Sequence, residues 1–195
     1  MPSYHDCKQR LVEAALKLFA SRGYYHTSIA DILRESGCKR GSLYYYFSSK
    51  EDLGYAAIDE SFRLFVEKGA ASRLGTKEHP IDRLISMLDA LPSTIRLETT
   101  RSLTAGVAVR MASVHNGFRQ RVEERLDRLA DDLVGILRRG VADGQITDSA
   151  DPRVLAHLCF IVSQGSQFAD LLGQRKVIWE DARHWLKDYL NSLRK

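Results

Sequence analysis

The feature that most constrains this chain is residues 26–53, where two short helical patterns flank a glycine turn. Ser28 and Asp31 have the spacing of a capping box, so we predict that the first helix begins after Ser28. Gly37 is predicted to end this helix, because glycine adopts the left-handed conformation at no steric cost. The order of helix, glycine turn and helix is typical of a helix-turn-helix.

The second helix of this pattern, predicted from Lys39, has Leu43 and Phe47 four residues apart on its inner face. Its outer face carries two cations, a Gly-Ser pair and three tyrosines, namely Lys39, Arg40, Gly41, Ser42, Tyr44, Tyr45 and Tyr46. Cations and hydroxyl groups suit phosphates and base edges, and small residues permit a close approach to a DNA groove. We therefore predict that these residues contact DNA, together with Thr27, Ser28 and Lys50. The alternative is a helical hairpin, acting as a protein-interaction module, whose tyrosine-rich face packs against protein.

A longer ordered set makes the DNA-binding interpretation more specific. It comprises Thr27, Ile29-Ala30, Gly37, Gly41-Ser42-Leu43-Tyr44, Phe47 and Lys50-Glu51-x-Leu53. This set resembles the DNA-binding signature of the tetracycline-repressor (TetR) family of bacterial transcription regulators. The resemblance implies an all-α fold, with an N-terminal three-helix helix-turn-helix domain followed by a helical ligand-binding and dimerisation domain. Cys38 and Lys39 stand where the family usually has Val and Ser, so the operator sequence cannot be inherited from relatives.

The distribution of charge supports a nucleic-acid partner for one end of the chain. Residues 1–50 contain eight Lys and Arg residues against four Asp and Glu residues. The whole chain contains 29 and 25 of these, so residues 51–195 contain 21 of each and are neutral overall. Excess positive charge around the helix-turn-helix is expected of a domain that meets DNA. We predict a DNA-binding domain over residues 1–50 and a ligand-binding and dimerisation domain over residues 51–195.

Two helices predicted near the C-terminus favour a homodimer. Residues 152–172 are apolar around most of the helix circumference, and residues 177–193 follow as a second helix. A helix that is apolar nearly all round needs neighbours on more than one side, and a second copy of this small chain would supply one. The family resemblance implies dimerisation through the last two helices. The predicted interface residues are Leu155, Leu158, Val162, Ile178, Trp185, Leu186 and Tyr189.

The resemblance also implies a repressor that a small-molecule effector releases from its operator. A pocket for such a molecule is mostly apolar with a few polar groups. The candidate lining residues are Phe62, Phe65, Met87, Met111, His115, Phe118, Gln164 and Gln167. Each apolar member could instead be plain core, and the two glutamines could lie at the dimer interface.

The cysteines and histidines give little sign of metal or catalytic chemistry. Cys7, Cys38 and Cys159 are odd in number and widely spaced, which predicts neither a disulfide framework nor a zinc site. We interpret Cys38 and Cys159 as packing residues, with a redox-sensing regulator acting through a cysteine as the alternative. The sequence has no catalytic motif and no phosphate-binding glycine loop, so we predict no enzymatic activity, no cofactor and no metal site.

Nothing in the sequence points to a membrane. No stretch approaches the ~20 apolar residues needed to span a bilayer, and residues 1–10 lack the apolar core of a signal peptide. We therefore predict a cytoplasmic protein whose partners are double-stranded operator DNA, an effector of unknown identity and a second copy of itself.

Overall fold

The protein is built from α-helices. The computed structural model describes residues 4–68, 78–89, 107–108, 110–171 and 176–195, and these contain no strand beyond one isolated bridge between Ile146 and Arg194. The named helices are α1 (Tyr4–Arg22), α2 (Ile29–Ser36), α3 (Arg40–Tyr46), α4 (Lys50–Lys68), α5 (Pro80–Asp89), α6 (Asn116–Ala142), α7 (Pro152–Leu171) and α8 (Lys176–Ser192). The all-α prediction is confirmed. Among these described helices, none combines the length and apolarity needed to cross a membrane.

Helix α2 begins and ends at the residues that its sequence predicts. The Ser28 hydroxyl accepts a hydrogen bond from the Asp31 N–H at 3.1 Å, and the Asp31 carboxylate accepts one from the Ser28 N–H at 3.0 Å. These two bonds complete the capping box. Gly37 follows the helix with a φ of 64°, a left-handed conformation that costs other residues roughly 1–2 kcal/mol. Helix α3 then starts at Arg40, with Lys39 as its N-cap.

The chain divides into two compact units. Unit 1 comprises Met1–Phe65 and Thr100–Arg125, and unit 2 comprises Val66–Thr99 and Leu126–Lys195. Helix α6 therefore contributes residues 116–125 to unit 1 and its remaining residues to unit 2. Most of α4 and the first residues of α6 are thus grouped with the helix-turn-helix in unit 1.

In unit 1, α1 packs against both α2 and α3. Leu11, Ala15 and Phe19 of α1 are at most 1% exposed, as are Ile32 of α2 and Leu43 of α3. Full burial of a large apolar side chain stabilises a fold by roughly 1.5–3 kcal/mol. Helix α1 is therefore the support on which the helix-turn-helix is held.

Unit 2 has a separate core formed by α5, α6, α7 and α8. Its fully buried members include Ile81, Leu84, Leu88, Leu133, Leu137, Ile146, Leu155, Cys159, Leu186 and Leu190. Gly140 allows a close approach here, because a Cβ at this position would lie 2.6 Å from Ile146 Cδ1 and 2.9 Å from Pro80 Cγ.

Two of the predicted interface residues belong to this core instead. Leu155 is 2% exposed and Leu186 is 1% exposed, so neither offers side-chain surface to a partner subunit. The physical reason is that α7 and α8 each turn one apolar side toward α5 and toward each other within the same chain. Helical spacing alone does not separate that side from an outward-facing one.

The cysteines also require a correction. Cys7 of α1 and Cys38 of the turn before α3 form a disulfide, with Cα atoms 6.2 Å apart. The expectation that the cysteines form no disulfide framework missed this single bond, and the interpretation of Cys38 as a packing residue is wrong. A separation of 31 residues leaves no sequence pattern, and only the packing of α1 behind the turn brings the two residues together. Cys159 is unpaired and buried in unit 2, which agrees with its interpretation as a packing residue.

Candidate nucleic-acid interface

Helix α3 is anchored on one face and open to solvent on the other. Leu43 is fully buried and Phe47, the C-cap residue, is 4% exposed. On the opposite face, the side chain of Tyr44 is 48% exposed and that of Tyr45 is 70% exposed. The remaining predicted residues of this face are exposed or half-buried: Lys39, Arg40, Gly41, Ser42 and Tyr46. The structure therefore brings together on one surface the α3 residues that the sequence predicts to contact DNA.

The exposed side of α3 is partly ordered by contacts among its own side chains. The guanidinium carbon of Arg40 lies 5.7 Å from the centroid of the Tyr44 ring, one helical turn away, which is within the range of a cation–π interaction. The rings of Tyr45 and Tyr46 meet edge to face, with centroids 4.9 Å apart. A Cβ at Gly41 would meet no atom within 4 Å, so the backbone there faces open space.

Several cations near α3 are neutralised by carboxylates of α2. Lys17 donates to Glu35 at 2.5 Å, and this hydrogen bond lowers the pKa of Glu35. Arg34 pairs with Asp31, and Arg22 lies 3.9 Å from the same carboxylate. The hydrogen bonds from Ser28, followed by the charges of Arg34 and Arg22, lower the pKa of Asp31. Both carboxylates are therefore ionised at neutral pH.

Lys39 and Arg40 differ from these paired cations. Within the described part of the chain, neither side chain forms an ion pair with a carboxylate. Their positive charges are therefore available to a polyanion that approaches the exposed side of α3.

Thr27 and Ser28 serve the local structure of the motif. Thr27 is 1% exposed, and its hydroxyl donates to the carbonyl oxygen of Gly23 at 2.8 Å. A side chain buried in this way cannot reach a phosphate, so the predicted DNA contact of Thr27 is corrected to a structural role. Ser28 is exposed, but its hydroxyl donates to the Asp31 carboxylate at 2.6 Å while it caps α2.

Lys50 also binds within the chain. Its Nζ atom donates to the carbonyl oxygen of Tyr24 at 2.6 Å and lies 4.2 Å from the centroid of the Tyr24 ring. Partial burial lowers the pKa of Lys50. The phosphate contact predicted for Lys50 is thus replaced in this structure by an intramolecular one, which ties the start of α4 to the loop before α2.

Three of the predicted ligand-binding residues pack within unit 1. Phe118 is fully buried, with its ring centroid 5.0 Å from those of Tyr24 and Tyr55 and stacked on His115 at 3.8 Å. Tyr24, Tyr55, His115 and Phe118 form what we call the aromatic cluster. Met111 is 1% exposed. Met111 and Phe118 are therefore corrected from pocket-lining residues to core residues, because their surfaces are already covered by protein.

The other predicted pocket residues are not brought together by the described structure. Phe62 is half-buried on α4. The side chains of the pocket candidates Phe65, Met87, Gln164 and Gln167 lie outside what the structure describes, as does that of the predicted interface residue Ile178. Among the described residues, no three His, Cys, Asp or Glu side chains are grouped as a metal site.

Sequence reasoning missed a cluster behind the motif, formed by Cys7, Arg10 and Cys38. The Nη2 atom of Arg10 lies 3.3 Å from Cys38 Sγ. The available signal was that Cys7 and Arg10 are three residues apart and so share a face of α1. Nothing in the sequence indicates that this face covers the turn before α3.

Family models match both parts of the chain. A model described as bacterial regulatory proteins, tetR family, matches residues 11–56. A model described as Tetracyclin repressor-like, C-terminal domain, matches residues 111–194. The first match contains all of the helix-turn-helix, and the second contains the whole of α6, α7 and α8.

Individual regulators are similar over most of the chain. It is 23% identical over 151 residues to the Fatty acid metabolism regulator protein of Bacillus subtilis (strain 168), which is 77% of this chain and 76% of that protein. A TetR transcriptional regulator from Chloroflexus aurantiacus J-10-FL has a similar structure, with a TM-score of 0.80, 25% identity and coverage of 100% and 98% of the two chains. The transcriptional regulator FadR from Bacillus subtilis, in complex with stearoyl-CoA, has a TM-score of 0.72 at 20% identity, with coverage of 93% and 96%.

Proposed function

This chain belongs to the TetR family of bacterial regulatory proteins and is a DNA-binding transcriptional regulator, and we propose that it is a homodimeric repressor that a small-molecule effector releases from its operator. Its relatives named above are regulators. The observation that carries the proposal is the exposed side of α3, where Lys39 and Arg40 lie beside Tyr44 and Tyr45 and form no ion pair with any carboxylate that the structure describes.

In the proposed complex, α3 lies in the major groove of operator DNA. Arginine commonly reads guanine through two hydrogen bonds to the base edge. Arg40 is the side chain best placed to read a guanine. Its contact with the Tyr44 ring limits the conformations of the Arg40 side chain before DNA binds. Lys39 contacts the adjacent phosphate backbone, and the Tyr45 hydroxyl donates a hydrogen bond to a phosphate oxygen. Gly41 lets the backbone approach the groove closely.

The proposed dimer forms through the outward-facing sides of α7 and α8. Val154, Leu158 and Ile161 are 54%, 37% and 64% exposed and follow helical spacing along α7. Trp185 of α8 is 65% exposed, and its ring stacks on Tyr189 with centroids 5.5 Å apart. Apolar surface of this extent on a soluble domain marks an interaction site. A second copy covers it symmetrically, and the two α3 helices then read half-sites about 34–36 Å apart, or a multiple of that distance.

The effector part of the proposal concerns α6, which belongs to both units. A protein of the same fold, FadR, binds stearoyl-CoA, which supports a small-molecule ligand for this chain as well. If a ligand bound by unit 2 favours another position of α6, residues 116–125 of that helix shift as well. These residues belong to unit 1, where they pack with α4. A ligand that binds only the DNA-incompetent state shifts the population away from operator-ready dimers.

The experiment that tests DNA reading compares two arginines of the same motif. A fluorescent duplex is first selected from a random-sequence pool with the full-length protein, and its dissociation constant is measured by fluorescence anisotropy at several salt concentrations. Arg40→Ala is expected to weaken binding by about 1–3 kcal/mol and to relax the preference at one base position. Arg34→Ala is the matched control, because Arg34 is already paired with Asp31 on α2.

Equal losses for the two variants would contradict base reading by Arg40. If no duplex shows saturable binding that weakens as salt rises, the chain is instead a helical protein-interaction module.

A further inference from the structure

Two cysteines and an arginine meet behind the recognition helix α3. Cys7 lies near the start of α1, and Cys38 lies in the turn between α2 and α3, immediately before the N-cap Lys39. The two sulfurs are bonded, and the Cα separation of 6.2 Å falls within the usual range for disulfides. Arg10, one turn after Cys7, places its Nη2 atom 3.3 Å from Cys38 Sγ.

This cluster has the features of a reactive thiol pair. Neither Cys7 nor Cys38 is fully buried, so a small oxidant has access to them. A guanidinium next to a cysteine sulfur favours the thiolate, which is the form that attacks oxidants. Oxidation-sensitive cysteines are typically accessible, stabilised as thiolates and close to a second cysteine that resolves the first product. Cys38 meets the first two conditions, and Cys7 supplies the third.

Cys159 provides a contrast within the same chain. It is fully buried in the core of unit 2, and burial raises its pKa to about 12. Its thiol is therefore protonated at neutral pH and shielded from solvent. Cys159 therefore serves as a shielded reference for the accessible pair Cys7 and Cys38.

We propose that Cys7 and Cys38 are a reversible redox modification site that tunes the affinity of α3 for DNA. The Cys38 thiol first loses its proton to solvent; the thiolate then attacks an oxygen of a peroxide, the O–O bond breaks, and the products are a sulfenic acid and an alkoxide or hydroxide that takes up the proton released by the thiol. The Cys7 thiol then attacks the sulfenic sulfur, forms the S–S bond and releases water. Two electrons pass from the two sulfurs to the peroxide. A dithiol reductant reverses the reaction by thiol–disulfide exchange.

The site acts on DNA binding through the turn that leads into α3. The Cys38 N–H donates to Ser36 Oγ at 3.3 Å, and the N-cap Lys39 makes no side-chain capping bond, so a bond from Cys38 to α1 adds a tether directly before the first residue of α3. A disulfide from Cys38 to α1 restricts the motion of the start of α3 before DNA binds. Less conformational entropy is then lost on binding, and such preorganisation increases affinity. The oxidised protein is therefore the tighter DNA binder. This coupling rests on the proposed recognition of DNA by α3.

The first test counts thiols in the full-length protein. After reduction with dithiothreitol and its removal, unfolded protein should react with three equivalents of a thiol reagent. After treatment with hydrogen peroxide, wild-type protein should retain one, and a later treatment with dithiothreitol should restore the others. Cys159→Ser should still lose its two thiols together, whereas Cys7→Ser and Cys38→Ser should form no intramolecular disulfide. Peptide mapping should place the bond between Cys7 and Cys38.

The second test measures the affinity for a selected fluorescent duplex in both redox states. Oxidised wild-type protein and oxidised Cys159→Ser are expected to bind several-fold more tightly than their reduced forms. Cys7→Ser is expected to bind equally well before and after peroxide treatment. Comparing the two states of wild-type protein needs no substitution, so a folding defect in a variant cannot obscure the result.

Three outcomes would overturn the proposal. They are a peroxide-treated protein that keeps all its thiols, a bond that maps to Cys159, and a Cys7–Cys38 disulfide that leaves the affinity unchanged or lowers it. If no duplex is bound in either redox state, the proposed DNA recognition fails, and the coupling fails with it. The thiol count then still decides whether the modification site exists.

Discussion

At the residue scale, exposure distinguishes side chains that can contact DNA from others of the same type in the same motif. Arg40 and Lys50 are both cations of the helix-turn-helix region. Arg40 lies over the exposed ring of Tyr44, whereas Lys50 donates to the carbonyl oxygen of Tyr24. Thr27 is a polar residue of the same stretch that the fold buries. Substitutions at these positions should therefore change different properties of the protein.

Replacing Thr27 by Val tests its structural role. The substitution keeps the shape of the side chain but removes the hydroxyl that donates to the carbonyl oxygens of Gly23 and Leu18. We expect the free energy of unfolding to fall by about 1–2 kcal/mol, because a buried acceptor loses its donor. Thermal unfolding followed by circular dichroism measures the change, and Thr27→Ser, which keeps the hydroxyl, is the control.

The same variant also distinguishes packing from phosphate contact. If Thr27 bound a phosphate only through its hydroxyl, Thr27→Val would weaken DNA binding and leave the unfolding free energy unchanged. A structural role predicts the reverse pattern, with unchanged affinity for a selected duplex under conditions where the variant remains folded.

At the scale of elements, close packing between helices depends on small residues. Gly54 of α4 faces Phe118 of α6, and a Cβ at this glycine would lie 2.5 Å from Phe118 Cζ and 2.8 Å from Cε1. Phe118 is also held between Tyr24 and Tyr55 in the aromatic cluster. The first turn of α6 is therefore fixed to α4 by contacts on several sides.

Replacing Gly54 by Ala should disturb this contact. The new methyl group would overlap a ring that has little freedom to move, so we expect a loss of roughly 1–3 kcal/mol in the free energy of unfolding. Gly135→Ala in α6 is the matched control, because a Cβ there would meet only the flexible end of Arg139 at 3.5 Å. This control should be neutral or stabilising by up to about 1 kcal/mol. If the two variants unfolded at similar temperatures, α4 and α6 would be shown to move apart at little cost in free energy to make room for the methyl group at residue 54.

At the scale of the whole molecule, unit 2 leaves apolar side chains outside its own core. Leu155 and Leu186 are buried within the chain, while Leu158 and Trp185 of the same helices are exposed. The apolar side chains of these helices that are not buried within one chain are therefore the ones that can pack against a second copy. In the proposed dimer each subunit reads one half-site, so loss of the dimer should weaken DNA binding without altering α3.

The double substitution Leu158→Glu and Trp185→Glu should shift the protein from dimer to monomer. Placing carboxylates in an apolar interface leaves buried charges without partners, which is strongly unfavourable. Size-exclusion chromatography with light scattering measures the molar mass, and anisotropy measures the affinity for a two-half-site duplex, which should fall with it. Arg138→Glu, at an exposed position of α6, is the control for added negative charge.

A variant that remained dimeric would place the interface elsewhere. If it became monomeric yet bound the two-half-site duplex as tightly as wild-type protein, the assumption that DNA reading requires the dimer would be contradicted.

Local sequence patterns were enough to predict the helices, the helix-turn-helix and the exposed face of α3. These follow from short-range physics: Ser28 and Asp31 cap α2, Gly37 supplies the left-handed turn, and the spacing of Leu43 and Phe47 selects the buried side of α3. Each of these choices is made within a few residues, so the local pattern contains the information.

Contacts between distant segments, by contrast, depend on how the helices pack together. The burial of Thr27, the bond from Lys50 to Tyr24, the pairing of Cys7 with Cys38 and the burial of Leu155 all join segments whose contacts no local pattern specifies. Helical spacing predicts on which side of its own helix a residue lies. It does not predict which other helix packs against that side. The identity of that helix depends on how all the helices fill the core together.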